Sequence, residues 1–199
     1  MTAFGRRSAE LKTGEEPIRS GNRALPMNLL DFWRWSRSDL LSNATRGVLA
    51  EFLVATATGC DIRRPRNEWD KFDLTTPDGV KVEVKSAAYL QSWNQPKGLS
   101  RISFSIKEAR PWDADTNQTG ITKERSAQVY VFCLLHHTDK DTADPLDMEQ
   151  WTFFVRSIRD LDRYTRSRFS ITLKSLRVIA PEVRYADLGD EVRAAHIRA

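Results

Sequence analysis

From Ser42 onward the apolar residues fall on a helical stripe. Val48, Leu49, Phe52, Leu53 and Ala55 recur at the spacing of one helix face, Ser42-Asn43 offers a cap, and Gly59 a stop. This predicts a helix running to about Thr58. At Phe72 the period changes to two. Phe72, Leu74, Val80, Val82 and Val84 alternate with polar residues on either side of Thr76-Pro77-Asp78-Gly79. Proline presets φ, aspartate bonds its own backbone and glycine accepts positive φ, so the segment reads as a hairpin. A loop of Pro77, Asp78 and Gly79 pairs Thr76 with Val80, Leu74 with Val82 and Asp73 with Glu83. Ile102, Phe104 and Ile106 alternate again and predict a third strand over 101–107. Val129–Leu135 is one apolar run, the pattern of a central strand buried on both faces. A further strand is expected at 151–155, a helix at 158–164, and a last strand or extended piece at 171–178.

The remaining segments are less regular. Residues 1–25 are polar and weakly basic and read as a flexible arm. Leu29, Leu30, Phe32, Trp33, Trp35, Leu40 and Leu41 suggest one or two short helices packing their aromatics on the core. Residues 87–99 form a loop suited to the mouth of a site. A polar excursion spans 108–127, with a helical turn near 123–128, and an acidic loop spans 138–150. A single domain over 26–180 is expected, followed by a C-terminal helix or tail at 181–199.

Composition narrows this little. Apolar residues make up 40% and charged residues 29%, enough for a globular core. No apolar run is long enough to cross a bilayer, and the N-terminus lacks the apolar stretch of a signal peptide. Two cysteines without paired spacing suit a reducing, cytoplasmic setting. A net charge of +4 and a pI near 9.2 are compatible with a phosphate-backbone partner without requiring one.

Chemistry enters at the hairpin. Asp73, Glu83 and Lys85 are expected on one face, and two directly opposed carboxylates repel unless something compensates. They could hold a divalent cation and a water beside a phosphate, or lie on an exposed face neutralised by Lys71, Lys81 and Lys85. Glu51, in a helix with little polar surface, is either aimed into a site or paired with an arginine such as Arg46. His136-His137, with Asp139 and Asp141 nearby, matches no metal-ligand spacing and reads as a strand end. Arg163, Arg166, Arg168, Lys174 and Arg177 form a basic cluster that suits either phosphates or a solvated face.

The order of helix with Glu51, strand with Asp73, strand with Glu83-Val84-Lys85, third strand and buried strand resembles the PD-(D/E)XK nuclease superfamily, nearest to its bacterial nuclease-like branch. Phe72 stands where that family's motif has proline. The resemblance covers about residues 42–135. It implies an α/β fold with a restriction-endonuclease-like αβββαβ core, a central mixed β-sheet flanked by helices. It also implies Mg²⁺ or Mn²⁺ bound by Asp73, Glu83 and the Val84 carbonyl, with Glu51 serving a second ion and Lys85 orienting a water. Ser86, Gln91, Lys97 and Arg101 are the implied substrate contacts. The expected activity is phosphodiester hydrolysis of nucleic acid, with DNA the expected substrate; cutting two strands with one site per chain would favour a homodimer. A DNA-binding protein that kept the fold without cleavage, or a structural protein, remains the alternative.

Overall fold

The computed structural model describes residues 4–198. Its elements run Pro17–Ser20 (β1), Arg23–Asn28 (β2), Leu29–Arg37 (α1), Asn43–Ala57 (α2), Leu74–Thr75 (β3), Lys81–Ala88 (β4), Ser103–Ser105 (β5), Trp112–Asp113 (β6) and Gln118–Thr119 (β7). Val129–Leu135 (β8), Trp151–Ser157 (β9), Ile158–Asp162 (α3), Ser170–Thr172 (β10), Leu173–Ile179 (α4) and Leu188–Ile197 (α5) complete them.

The apolar run of β8 is buried at every position, and it lies inside a mixed four-stranded sheet ordered β3-β4-β8-β9. β4 pairs with β8 in parallel, whereas β3 with β4 and β8 with β9 are antiparallel. Alternate residues of β8 serve two cores. Val129, Val131, Cys133 and Leu135 meet Ala50, Leu53 and Val54 of α2 and Leu188, Val192 and Ala195 of α5. Tyr130, Phe132 and Leu134 meet Ile102, Phe104, Ile106, Leu161, Ile171 and Leu176 on the other face. Each fully buried side chain of this size contributes about 1.5–3 kcal/mol of transfer free energy, so the double-faced strand anchors both layers. The central mixed sheet flanked by helices agrees with the expected fold class.

Several elements differ from the sequence expectation. β5 does not join the central sheet; it pairs antiparallel with β10, Phe104 opposite Ile171. Its apolar alternation records a buried face, which is the same whichever strand lies alongside. No helix forms between β5 and β8 among the described residues. That excursion holds the small β6–β7 pair and a bridge from Ala109 to Glu124, in place of a helical turn at 123–128. Residues 171–178 turn from strand to helix after Thr172, whose side chain accepts from the Ser175 amide, and Leu173 and Leu176 bury the helical face.

The N-terminal stretch contains an exposed antiparallel hairpin, β1–β2, turning at Gly21 with φ 59°; the expected arm's residues 1–3, and Ala199 of the expected tail, lie outside the described residues. α1 begins with a full capping box, the Asn28 side chain on the Asp31 amide and the Asp31 side chain on the Asn28 amide. It buries none of its residues: Trp35 is 85% and Phe32 48% exposed, so these aromatics are not core. Instead of meeting the sheet, Leu30 and Trp33 close over Gly14. At the other end, α5 packs into the first core. Gly189 admits the Ala57 carbonyl so closely that a Cβ there would stand 2.3 Å from its oxygen.

Candidate active site at the open edge of β4

The turn forms as its residues dictate. Gly79 takes φ 82°, its amide bonds the Thr76 carbonyl at 2.9 Å, and the Thr76 hydroxyl accepts from the Val80 amide at 3.1 Å. Leu74 stands opposite Val82, in the expected register. The ladder then stops. Asp73 still donates its amide to the Val82 carbonyl at 3.1 Å, but its carboxylate Oδ2 accepts from the Val84 amide at 2.7 Å. A side chain thus takes the place of the next backbone partner, and β4 has no strand alongside it on that flank beyond this point among the described residues. Because N–H and C=O of one strand residue point the same way, the Val84 carbonyl lies on this open edge too.

Glu83 and Lys85 flank Val84 in β4 and are ion-paired, Lys85 Nζ to Glu83 Oε1. Their strand register sets them beside Tyr130 and Phe132 of β8, on the face opposite α2. Glu51 approaches from α2. It lines a cavity of about 720 Å³ together with Asp73, Arg66, Val48, Phe52 and Ile62. Its two oxygens are held by Arg66, Nε to Oε2 and Nη2 to Oε1 at 3.0 Å. The site therefore straddles the sheet edge, Glu51 on one side, Glu83 and Lys85 on the other, Asp73 between.

The acids act on one another. Burial pushes the Glu83 carboxyl above its ordinary range, Asp73 repels it further, Lys85 opposes the shift, and Glu51 adds a smaller push upward. Glu51 is also raised, first by burial, with Arg66 pulling down and Asp73 pushing up. Such a concentration of negative charge favours a cation, and all the donors are hard oxygens, the type Mg²⁺ and Mn²⁺ take. As arranged, Arg66 and Lys85 occupy Glu51 and Glu83, and among the described residues no three acids, histidines or cysteines come together as a metal cluster. The donor set suits a divalent ion in kind, with the two basic side chains in the way.

Four other expected contacts lie apart. The Ser86 hydroxyl, facing α2, accepts from Arg46 Nε at 3.3 Å; Arg46 is buried and also bonds the Leu41 carbonyl and Asn43. Gln91 is buried, with its amide nitrogen on the Ala88 carbonyl and Ser100, and organises its own loop. Lys97 is exposed at a turn closed by Gly98, and Arg101 is exposed ahead of β5. None of the four bonds to Glu51, Asp73, Glu83 or Lys85 among the described residues. Sequence reasoning paired Glu51 with Arg46 and missed Arg66, which sits in an irregular stretch with no periodicity to place it.

A family model described as bacteriophage T4 endonuclease IV matches residues 22–168, which carry Glu51, Arg66, Asp73, Glu83 and Lys85. The chain belongs to the bacteriophage T4 endonuclease IV family. It is thus a nuclease acting on nucleic acid. The match ends before β10, α4 and α5. No curated protein matches the chain. No helix among the described residues is long and apolar enough to cross a membrane.

Proposed function

We propose that this family member is a metal-dependent endonuclease of PD-(D/E)XK type, cutting DNA at the open edge of β4. One observation carries the reading: the Asp73 carboxylate closes the ladder on the Val84 amide, beside the Glu83–Lys85 pair and within the field of Glu51. Asp73, Glu83 and the Val84 carbonyl would hold Mg²⁺ or Mn²⁺, with Glu51 at a second ion. The ion would lower the pKa of a water and offset charge on the phosphate.

The chain's own residues supply the rest. Lys85, on the same strand face as Glu83, orients the attacking water and neutralises a phosphate oxygen. A water oxygen bonds to phosphorus, the bond to the leaving sugar oxygen breaks, and the water's protons pass to the leaving oxygen and solvent. Asp73 keeps its place through the Val84 amide, a fixed donor that needs no reorganisation. Two free thiols, one of them buried, accord with a reducing cytoplasm, and a homodimer would bring two such edges to a duplex.

A second reading, a binding protein that does not cut, draws on the ion pairs that fill Glu51 and Glu83. Plasmid and oligonucleotide cleavage with and without Mg²⁺ separates the two. The endonuclease reading expects metal-dependent cuts that fall about 10²-fold or more in Lys85→Ala. Full activity in Lys85→Ala would reject the assigned site. Binding without cleavage on every DNA form would establish the second reading.

A further inference from the structure

We propose that the cavity lined by Arg156, Arg163 and Arg166 is a phosphodiester-binding subsite for the substrate strand, on the face of the sheet that carries Glu83. The inference rests on the open edge of β4 being the cleavage site. The cavity, about 490 Å³, lies between α3 and α4 and is also lined by Tyr164, Thr165 and Ser175. Asp160 is its single carboxylate lining, so the guanidinium charge exceeds the acid.

Three observations support it. First, Arg156 stands in register opposite Tyr130, and Tyr130 in register beside Glu83. These three residues form one row across β9, β8 and β4, on the same face of the sheet. Two strand spacings separate the Arg156 and Glu83 backbones by about 10 Å. Second, Arg156 Nε is buried without a hydrogen-bond partner among the described residues, while its Nη1 reaches Asp160 at 3.5 Å. A buried guanidinium N–H left open costs free energy that an anionic acceptor would recover. Third, Arg163 and Arg166 form no side-chain hydrogen bond or ion pair among the described residues and present exposed charge at the mouth. Arginine forks suit phosphate oxygens, and hydroxyls from Tyr164, Thr165 and Ser175 add neutral donors.

The test is the salt dependence of binding to labelled single-stranded and duplex oligonucleotides, in chelator so that nothing is cut. The exposed pair is changed together, Arg163→Ala with Arg166→Ala, leaving the half-buried Arg156 intact. Losing two phosphate contacts makes the slope of log affinity against log salt shallower by about 1.4–1.8. Between 50 and 200 mM salt the wild type then loses about tenfold more affinity than the variant. Arg163→Lys with Arg166→Lys keeps the charge and the wild-type slope. An unchanged slope in the alanine variant overturns the proposal, as does weaker binding without a slope change. Free inorganic phosphate, the other source of this chemistry, is expected to compete no better than chloride at matched ionic strength; displacement by millimolar phosphate would instead make this a free-anion site and overturn the assignment. Since the readout needs neither metal nor cleavage, its failure leaves the catalytic reading standing, and cleavage surviving in Lys85→Ala removes that reading without moving the slope.

Discussion

The carboxylate of Asp73 accepts the Val84 amide at 2.7 Å, so one side chain both ends a two-residue strand and sits beside the Glu83–Lys85 pair. Structure and proposed chemistry can be separated here by substitution. Asp73→Asn keeps an oxygen for the Val84 amide and loses the charge. It is expected to fold with stability within about 1 kcal/mol of wild type and to lose roughly 10²–10³ in cleavage rate. Asp73→Ala leaves that N–H without its partner and costs about 1–3 kcal/mol as well. Denaturant melts alongside cleavage rates check both; an active Asp73→Asn enzyme would remove Asp73 from the site.

Arg66 holds both oxygens of Glu51, and any ion reaching Glu51 must displace it. Arg66→Ala therefore trades stability for cation affinity. Without metal the variant melts lower, because a half-buried carboxylate has lost its partner. With metal, half-maximal cleavage comes at a lower Mg²⁺ concentration than in wild type. A titration of activity against Mg²⁺, paired with melting curves, reads both. An unchanged or higher Mg²⁺ requirement would argue against Glu51 as a ligand.

Glu83 provides a pH signature. Burial and the nearby Asp73 raise its folded-state pKa above the ordinary glutamate value of 4.5, so between that value and the raised one the native state binds more protons than the unfolded state. Stability then falls as pH rises through the window and recovers as pH falls. Glu83→Gln lacks this group. The melting temperature of the variant minus that of wild type is expected to grow from about pH 4.5 upward, in metal-free buffer. Saturating Mg²⁺ should shrink the difference by favouring the ionised wild type. A flat difference across the range would contradict the burial and repulsion by Asp73 seen here.

Gly189 gives a purely structural prediction. A methyl group there meets the Ala57 carbonyl oxygen at 2.3 Å, backbone that cannot rotate away. Gly189→Ala is expected to cost about 1–3 kcal/mol by forcing α5 off the end of α2. Cleavage per folded molecule should hold, since α5, the displaced helix, carries none of the candidate site residues. Equilibrium denaturation checks the first part and rate normalised to folded protein the second.

The hairpin was legible because Pro77-Asp78-Gly79 sets its loop length, and Leu74 opposite Val82 follows from that alone. α2 and β8 were legible as elements, but the buried face of α2 was misplaced: Ala50, Leu53, Val54 and Ala55 are buried, while Val48 and Phe52 of the expected stripe are 42% and 49% exposed. What the sequence hides is long-range choice of partner. Phe104 alternates as a strand residue should, but that Ile171 lies opposite depends on how the chain returns. The Glu51–Arg66 pair joins a helix to an irregular stretch, and the Glu83–Tyr130–Arg156 row needs two separate registers. The exposed aromatics of α1 misled for a related reason: amphipathic spacing says that a face exists, not that the core reaches it.

The brevity of β3 has a cost that the acids also meet. A strand edge left bare next to a flat, buried sheet invites another chain to add to it, and charged side chains along an edge are the usual deterrent. Asp73, Glu83 and Lys85 occupy that position. Apolar substitutions made to silence the enzyme would strip the guard from the same edge, so Val or Ala variants should self-associate more readily than wild type, while the polar replacements Asn and Gln should stay monodisperse.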